Sequence, residues 1–122
     1  MSRRSLLGGA AVLEARGRIR GALYDLGEYP ALVLEGAGWV AGELYRVRDM
    51  VKRLPALDEA EGYHPADEAG SLYVRRRVAV LIGDGSTREA WVYVHNGPPG
   101  RGARIESGDW RAHVATRGAP SR

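Results

Sequence analysis

The chain has 122 residues, of which 44% are hydrophobic and 27% are charged, a composition that predicts one globular domain and excludes wholesale disorder. It contains no cysteine, which excludes disulfides, thiolate nucleophiles and cysteine-bound metals and favours a reducing cytoplasm. The net charge of +3 suggests nucleic acid as a possible class of partner, although the basic residues are scattered along the chain. No apolar run approaches the roughly 18 to 20 residues that a membrane helix needs.

The first half of the chain predicts strands. Two arginines precede an apolar run at the N-terminus, but Glu14 interrupts that run, so we expect no secretory signal. Residues 16–26 and 39–47 mix β-branched and aromatic residues between turn formers, which is typical of strands. Gly21 and Gly42 lie inside these segments and predict bulges or close backbone approach, as a strongly curved sheet requires.

Residues 48–63 predict a helix, because Met50, Val51, Leu54 and Leu57 fall on one helical face. Pro55 removes a backbone donor, so we expect a short helix to Leu54 and a second turn that starts near Pro55. Glu61 then lies at the end of the second turn, beside Gly62 as a stop signal. We expect Asp58 and Glu59 to be capping or solvated residues.

The best-defined unit is a hairpin over residues 71–96, in which two apolar runs flank the turn sequence GDGS. Strands near 72–82 and 88–95 are expected, with Val78, Val80 and Val92 facing the core. The run Arg75 to Arg77 predicts a solvated strand face on which at least one arginine points to the opposite side. Residues 112–122 lack an apolar period and predict a disordered basic tail.

No motif for a metal or cofactor is found. His64, His95 and His113 each stand alone without metal-ligand spacing, so we assign no metal and no cofactor. The glycine-rich GDGS joins two strands and does not open a helix, so it predicts a turn and not a phosphate-binding loop.

Six short motifs occur in an informative order. They are GALYDLGEYPAL (21–32), GELYRV (42–47), LDEAEGY (57–63), SLYVRRRV (71–78), AWVYVHN (90–96) and SGDW (107–110). This series resembles the gamma-glutamylcyclotransferase-like (AIG2-like) family from about Leu6 to Arg111. LYDLGEYP together with LDEAEGY is the most specific part of the match.

The resemblance implies an α+β, mostly β fold, a small mixed β-barrel with a few short helices that occupies residues 1–111. It implies an enzyme that converts a γ-glutamyl amino acid or γ-glutamyl amine to 5-oxoproline and releases the amine. The family's catalytic glutamate corresponds to Glu61. The resemblance also places Tyr29, Pro30 and Tyr73 near that glutamate, on the substrate-binding side.

Further side chains come from the strand pattern. Tyr93 and His95 share a strand face with Trp91, so one of them is expected to line the same cavity, and we assign Tyr93 to substrate binding. The expected partner is a small γ-glutamyl substrate, with neither metal nor membrane, and nucleic acid is disfavoured. A homodimer is left open.

One glutamate suits this chemistry, because the substrate's own α-amine attacks its γ-carbonyl and the protein supplies neither a nucleophile nor a metal. A carboxylate can take a proton from the substrate ammonium and return one to the leaving amine. The sequence departs from the family at its start, where a strand and a YGTL-like turn that holds the substrate are expected and are not found. Either the true start lies upstream or the chain has diverged.

Three hypotheses therefore stand. The first is an enzyme of this type, and the second is a non-catalytic member that keeps the fold as a ligand-binding or dimerising module. The third is a basic β-barrel that binds RNA through Arg75 to Arg77 and aromatic strand faces.

Overall fold

The computed structural model describes residues 11–27, 30–97 and 102–118. Within these residues the elements are β1 (Ala11–Arg20), β2 (Ala22–Asp25), β3 (Pro30–Val33), β4 (Trp39–Val47), α1 (Met50–Ala60), β5 (Tyr73–Ile82), β6 (Thr87–His95), β7 (Ala103–Arg104) and α2 (Trp110–Gly118). The predicted α+β, mostly β class is confirmed. A mixed barrel was expected, whereas the described strands form two antiparallel sheets, with orders β4-β1-β5-β6 and β3-β2-β7.

The first four strands form one long, bent hairpin. β1 pairs with β4 as far as Arg20 opposite Trp39, and β2 then pairs with β3 from Ala22 opposite Val33. Only Gly21 separates β1 from β2, and a Cβ atom there would lie 2.6 Å from the carbonyl oxygen of Val33. The close backbone approach predicted at Gly21 is therefore confirmed, and it marks the point where the chain passes from one sheet to the other.

The predicted irregularity at Gly42 is wrong. Gly42 pairs regularly with Gly17, and a Cβ at Gly42 would meet no atom within 4 Å. The register shift lies instead in β1, between Leu13 and Ala15. The residue in between is Glu14, whose carboxylate accepts hydrogen bonds from Arg46 of β4 and Arg88 of β6.

The two arginines stabilise the ionised form of Glu14. The hydrogen bond from Arg46 is the main reason that the pKa of Glu14 lies below its ordinary value of 4.5, and the charges of Arg46 and Arg88 lower it further. A carboxyl whose pKa is lower in the folded state contributes stability above the unfolded value, and this contribution is lost as the pH falls through the folded value.

We therefore expect Glu14→Gln to flatten the acid limb of the stability curve. Urea unfolding midpoints measured from about pH 7 down to about pH 3 should fall less steeply below about pH 4.5 in the variant than in the wild type. Glu35→Gln is the control, because it removes the same charge from the exposed loop between β3 and β4. Identical acid limbs for Glu14→Gln and the wild type would contradict the expectation.

The predicted hairpin is confirmed. β5 and β6 pair from Tyr73 opposite His95 to Leu81 opposite Thr87, and the GDGS turn joins them. The turn is held by Asp84, whose carboxylate accepts the backbone N–H of Ser86 at 2.9 Å. The three valines expected to face the core do so, since Val80 is buried and Val78 and Val92 pack against the core partly buried.

The buried cluster draws on strands of both sheets and on the segments after α1 and β7. Its members are Ile19, Leu23, Leu32, Val40, Tyr63, Val74, Val80, Val94 and Ile105. Trp110 at the start of α2 packs against this cluster. The cluster thus joins the two sheets and the helix that follows them.

Helix α2 occupies part of the segment for which a disordered tail was predicted, so that prediction is corrected for residues 112–118. Two contacts account for the helix. The carboxylate of Asp109 accepts the backbone N–H of Ala112 at 3.1 Å, and the ring of His113 lies 2.7 Å from the carboxylate of Asp25 in β2. Residues 119–122 lie outside the described residues.

Helix α1 runs through Pro55 without a break, so the predicted split is wrong. Proline cannot donate to the carbonyl four residues earlier, and here that carbonyl belongs to Val51. Val51 is 85% exposed whereas Leu57 is buried, so Val51 does not share the buried face of the helix, and its carbonyl can bond to water. No helix in the described residues is long and apolar enough to cross a membrane.

Candidate functional site

Glu61 caps the C-terminal end of α1, as predicted. Its backbone N–H lies 3.1 Å from the carbonyl oxygen of Leu57 and 3.2 Å from that of Asp58, and Gly62 then ends the helix with a φ of +69°. A positive φ is the usual conformation of a glycine that stops a helix. The side chain of Glu61 is partly exposed. Its backbone is thus fixed while the residue remains accessible.

Asp58 is the buried carboxylate of this region, with 5% of its surface exposed. Arg75 of β5 donates from Nε to one carboxylate oxygen at 3.0 Å and from Nη2 to the other at 3.3 Å. Tyr93 of β6 donates its hydroxyl to the first of these oxygens at 2.6 Å. Asp58 is therefore neither a cap nor a solvated residue, and that prediction is wrong; Glu59 is exposed, as expected.

Arg75 is held from several sides. Its guanidinium lies 4.4 Å from the ring centre of Trp91 and 5.6 Å from that of Tyr63, distances at which a cation is attracted to an aromatic face. Removing one partner of such a buried ion pair typically costs about 3 to 5 kcal/mol, because the other charge stays buried. Asp58, Arg75 and Tyr93 thus form a cross-linked cluster between α1, β5 and β6, which we call the Asp58 cluster.

The solvated strand face predicted for the three consecutive arginines of β5 is confirmed for Arg76 and Arg77, which are exposed, and is wrong for Arg75. Each one pairs with a carboxylate of this chain: Arg75 with Asp58, Arg76 with Glu68 and Arg77 with Glu89. Only the side chains of Arg76 and Arg77 are well exposed, and Arg75 is 16% exposed. Their charges are already compensated, which weakens the argument for binding RNA phosphates.

A second polar group lies beside the Asp58 cluster. Tyr63 donates its hydroxyl to Glu68 at 2.7 Å, and Arg76 donates to both oxygens of the same carboxylate. The bonds from Arg76 are the main reason that the pKa of Glu68 lies below its ordinary value, and the bond to Glu68 is the main reason that the pKa of Tyr63 is raised. Tyr63 follows Gly62, so this group fixes the chain just after Glu61.

The described residues that were predicted to lie on the substrate-binding side occupy two separate locations in the fold. Tyr73 donates its hydroxyl to the carbonyl oxygen of Pro30 at 3.0 Å, and its ring meets the edge of His95 at 5.6 Å between ring centres. The hydrogen bond fastens the start of β3 to β5, and the ring contact joins β5 to β6. Tyr93 belongs to the Asp58 cluster, and Tyr29 lies outside the described residues.

A cavity of about 600 Å³ opens beside α1. Apolar side chains of the strands and of α1 form most of its wall. The wall also contains charged residues of both signs, which are Glu14, Arg18, Glu43, Arg46, Arg88 and Glu89. Tyr93 and Leu57 belong to the wall, whereas Glu61, Tyr73 and Pro30 do not. Tyr93 therefore connects the cavity to Asp58 near the end of α1. No residue pattern predicted that Glu61 would lie outside the wall of this cavity.

Solved structures share this fold. YkqA from Bacillus subtilis superposes with a TM-score of 0.63 at 26% identity, over 93% of this chain and 36% of YkqA. The protein ytfP from Escherichia coli superposes with a TM-score of 0.60 at 32% identity, over 90% of this chain and 86% of ytfP. The arrangement of sheets and helices therefore defines a known class of small α+β protein.

The family follows from the sequence. The model of the family described as gamma-glutamyl cyclotransferase, AIG2-like, matches residues 2–112, and the chain belongs to that family. A Methanocaldococcus jannaschii protein named "Putative gamma-glutamylcyclotransferase MJ1514" is 35% identical over 72 residues, which are 59% of this chain. The match spans about half the length of that curated relative, 52%.

Proposed function

We propose that this protein is a gamma-glutamylcyclotransferase-type enzyme that converts a γ-glutamyl amino acid or γ-glutamyl amine to 5-oxoproline and a free amine. The observation that carries the proposal is the family match over residues 2–112, which includes the segment with Glu61. The placement of Glu61 supports it, because a partly exposed carboxylate on a fixed helix end can meet a substrate in one geometry.

In the proposed reaction the α-amine of the substrate attacks its own γ-carbonyl carbon. A carbon–nitrogen bond forms to close the five-membered ring, and the bond from the same carbon to the leaving amine breaks. Glu61 takes a proton from the substrate ammonium, which frees the nucleophile, and gives it to the leaving nitrogen as the bond breaks. Ring closure leaves a second proton in excess on the ring nitrogen, and Glu61 passes this proton to the released amine, which departs as an ammonium ion. The atoms balance without water or any co-reactant, so the protein has only to orient the substrate and move protons.

Tyr29, Pro30, Tyr73 and Tyr93 belong to the proposal as the substrate-binding side. Tyr73 and Tyr93 both donate their hydroxyls to acceptors in the protein, so their proposed contribution is to set the shape of the site. Pro30 takes part through its carbonyl, which anchors Tyr73. The protein surface that contacts the amine portion of the substrate would determine which leaving amines the enzyme accepts.

The test is 5-oxoproline release from a panel of γ-glutamyl dipeptides and γ-glutamyl amines, with the released amine quantified in parallel. We expect equimolar 5-oxoproline and amine from at least one member. Two matched compounds control the chemistry: the N-acetyl derivative blocks the attacking amine, and the α-glutamyl isomer cannot expel the amine by closing this ring. Both should be inert.

The alternatives give different results in the same experiment. A folded protein that binds a γ-glutamyl compound in calorimetry and releases no product would be the non-catalytic ligand-binding module. A protein that neither binds nor turns over any member of the panel would contradict both assignments. Retention on RNA that weakens with salt would support the third hypothesis, against which the paired arginines of β5 argue.

A further inference from the structure

We propose that Asp58, Arg75 and Tyr93 are positioning residues for the reaction, which hold the end of α1 so that Glu61 meets the substrate in one geometry. This inference rests on the proposed function. It assigns a role to the Asp58 cluster, which is linked to Glu61 through the backbone of Asp58. The three residues act through Glu61 and do not touch the reacting atoms themselves.

The link from the cluster to Glu61 runs through Asp58. Its carboxylate is fixed to β5 by Arg75 and to β6 by Tyr93. Its backbone carbonyl oxygen accepts the N–H of Glu61 at 3.2 Å and the N–H of Tyr63 at 2.8 Å. Asp58 therefore links β5 and β6 to Glu61 and Tyr63, the residues on either side of Gly62.

The hydrogen bonds to the Asp58 carboxylate are of kinds that fix its position and its plane. The hydroxyl of Tyr93 lies 2.6 Å from a carboxylate oxygen, which is the short distance of a charge-assisted hydrogen bond. Arg75 presents two donors in a planar fork, so it fixes the plane of the carboxylate as well as its position. A carboxylate that is almost fully buried cannot exchange these partners for water without a large cost.

Glu61 needs such support because of where it lies. It is the cap of the helix, and residues at helix ends have fewer intrahelical hydrogen bonds than residues inside. Its segment would otherwise be free to fray. A proton carrier that is displaced by about 1 Å can lose about 10²-fold in rate, so anchoring the helix end has a direct effect on catalysis.

The primary variant is Tyr93→Phe, which removes one hydroxyl and keeps the ring in the cavity wall. We expect kcat for 5-oxoproline formation to fall about 10-fold or more while KM changes less than about 3-fold. We also expect the backbone amides of Glu61 and Tyr63 to exchange with solvent at least about 10-fold faster, with no comparable change in β5. Arg75→Lys keeps the charge but loses the fork, and should show the same two effects.

Tyr45→Phe is the matched control. It removes a tyrosine hydroxyl that donates to a carboxylate, that of Glu43, at 2.8 Å, but both residues lie on β4 and neither contacts the end of α1 in the contacts described. Its kcat and the exchange of Glu61 should stay at wild-type values. If the role of Tyr93 were merely structural, Tyr93→Phe would lower the unfolding temperature and leave kcat unchanged, as is expected of Tyr45→Phe.

The outcomes separate this inference from the proposed function. Product release by the wild type, with kcat and amide exchange unchanged in Tyr93→Phe, would overturn the positioning role and leave the reaction standing. A wild-type protein that releases no 5-oxoproline would overturn the reaction and the catalytic part of the inference. The exchange rates of Glu61 and Tyr63 would then decide by themselves whether the cluster holds the helix end.

Discussion

Replacement of Glu61 by glutamine is expected to lower kcat for 5-oxoproline formation by about 10² to 10⁴-fold, the usual contribution of one positioned proton carrier. Glutamine keeps the size and shape of the side chain but can neither accept the ammonium proton nor return it to the leaving amine. KM should change less than kcat, because the amide keeps the size of the side chain and one acceptor oxygen. Product release under saturating substrate is the measurement.

Glu59→Gln provides the control for this experiment. Glu59 lies two residues earlier on the same helix and is exposed, so its replacement removes an equal charge from the same end of α1. The control should keep wild-type kcat, and both variants should keep the wild-type unfolding midpoint in urea. Equal activity of Glu61→Gln and the wild type would show that another group moves the proton.

Gly108→Ala is expected to destabilise the fold by about 3 to 5 kcal/mol or more, which is a large effect for one methyl group. Gly108 has a φ of +66°, and a Cβ atom there would overlap the carbonyl oxygen of Trp39 and lie 3.1 Å from its carbonyl carbon. The clash involves backbone, which cannot rotate away. The carbonyl oxygen of Gly108 also accepts the N–H of Ala41 at 2.8 Å, so a shift of Gly108 away from Trp39 would break this hydrogen bond with β4.

Gly36→Ala separates the clash from the cost of the backbone conformation. Gly36 has a comparable φ of +85°, but a Cβ there would meet no atom within 4 Å. Its replacement should cost about 1 to 2 kcal/mol, the penalty of a left-handed residue alone. Urea unfolding of both variants measures the difference, and equal losses would mean that the turn at Gly108 does not lie against β4.

The features of the fold that were predicted correctly depend on residues that are close to one another in the sequence. The β5–β6 hairpin was predicted because its turn contains Asp84 and Gly85, which favour a tight reversal between two apolar runs. The position of Glu61 at a helix end was predicted because Gly62 follows it directly. In both cases the residues that decide the structure lie within a few positions of one another.

The failed predictions concern residues whose partners are distant in sequence. Asp58 is buried because of Arg75 and Tyr93, which lie 17 and 35 positions away, and a pattern of exposed acids near a helix gave no sign of either. The contact between His113 and Asp25 spans 88 positions, which explains why α2 was missed. Pro55 does not split α1, since one lost hydrogen bond at an exposed turn does not stop a helix.

The bent hairpin of β1 to β4 also bears on the order in which this chain folds. Only four residues separate β2 from β3 in the sequence, so their pairing closes a small loop at low entropic cost. Once they pair, β1 and β4 are brought side by side through Gly21 and the loop before Trp39, and their pairing can spread outward. We therefore expect pairing to spread outward from β2 and β3, so that formation of the three-stranded sheet brings together β1 and β4, two strands of the four-stranded sheet.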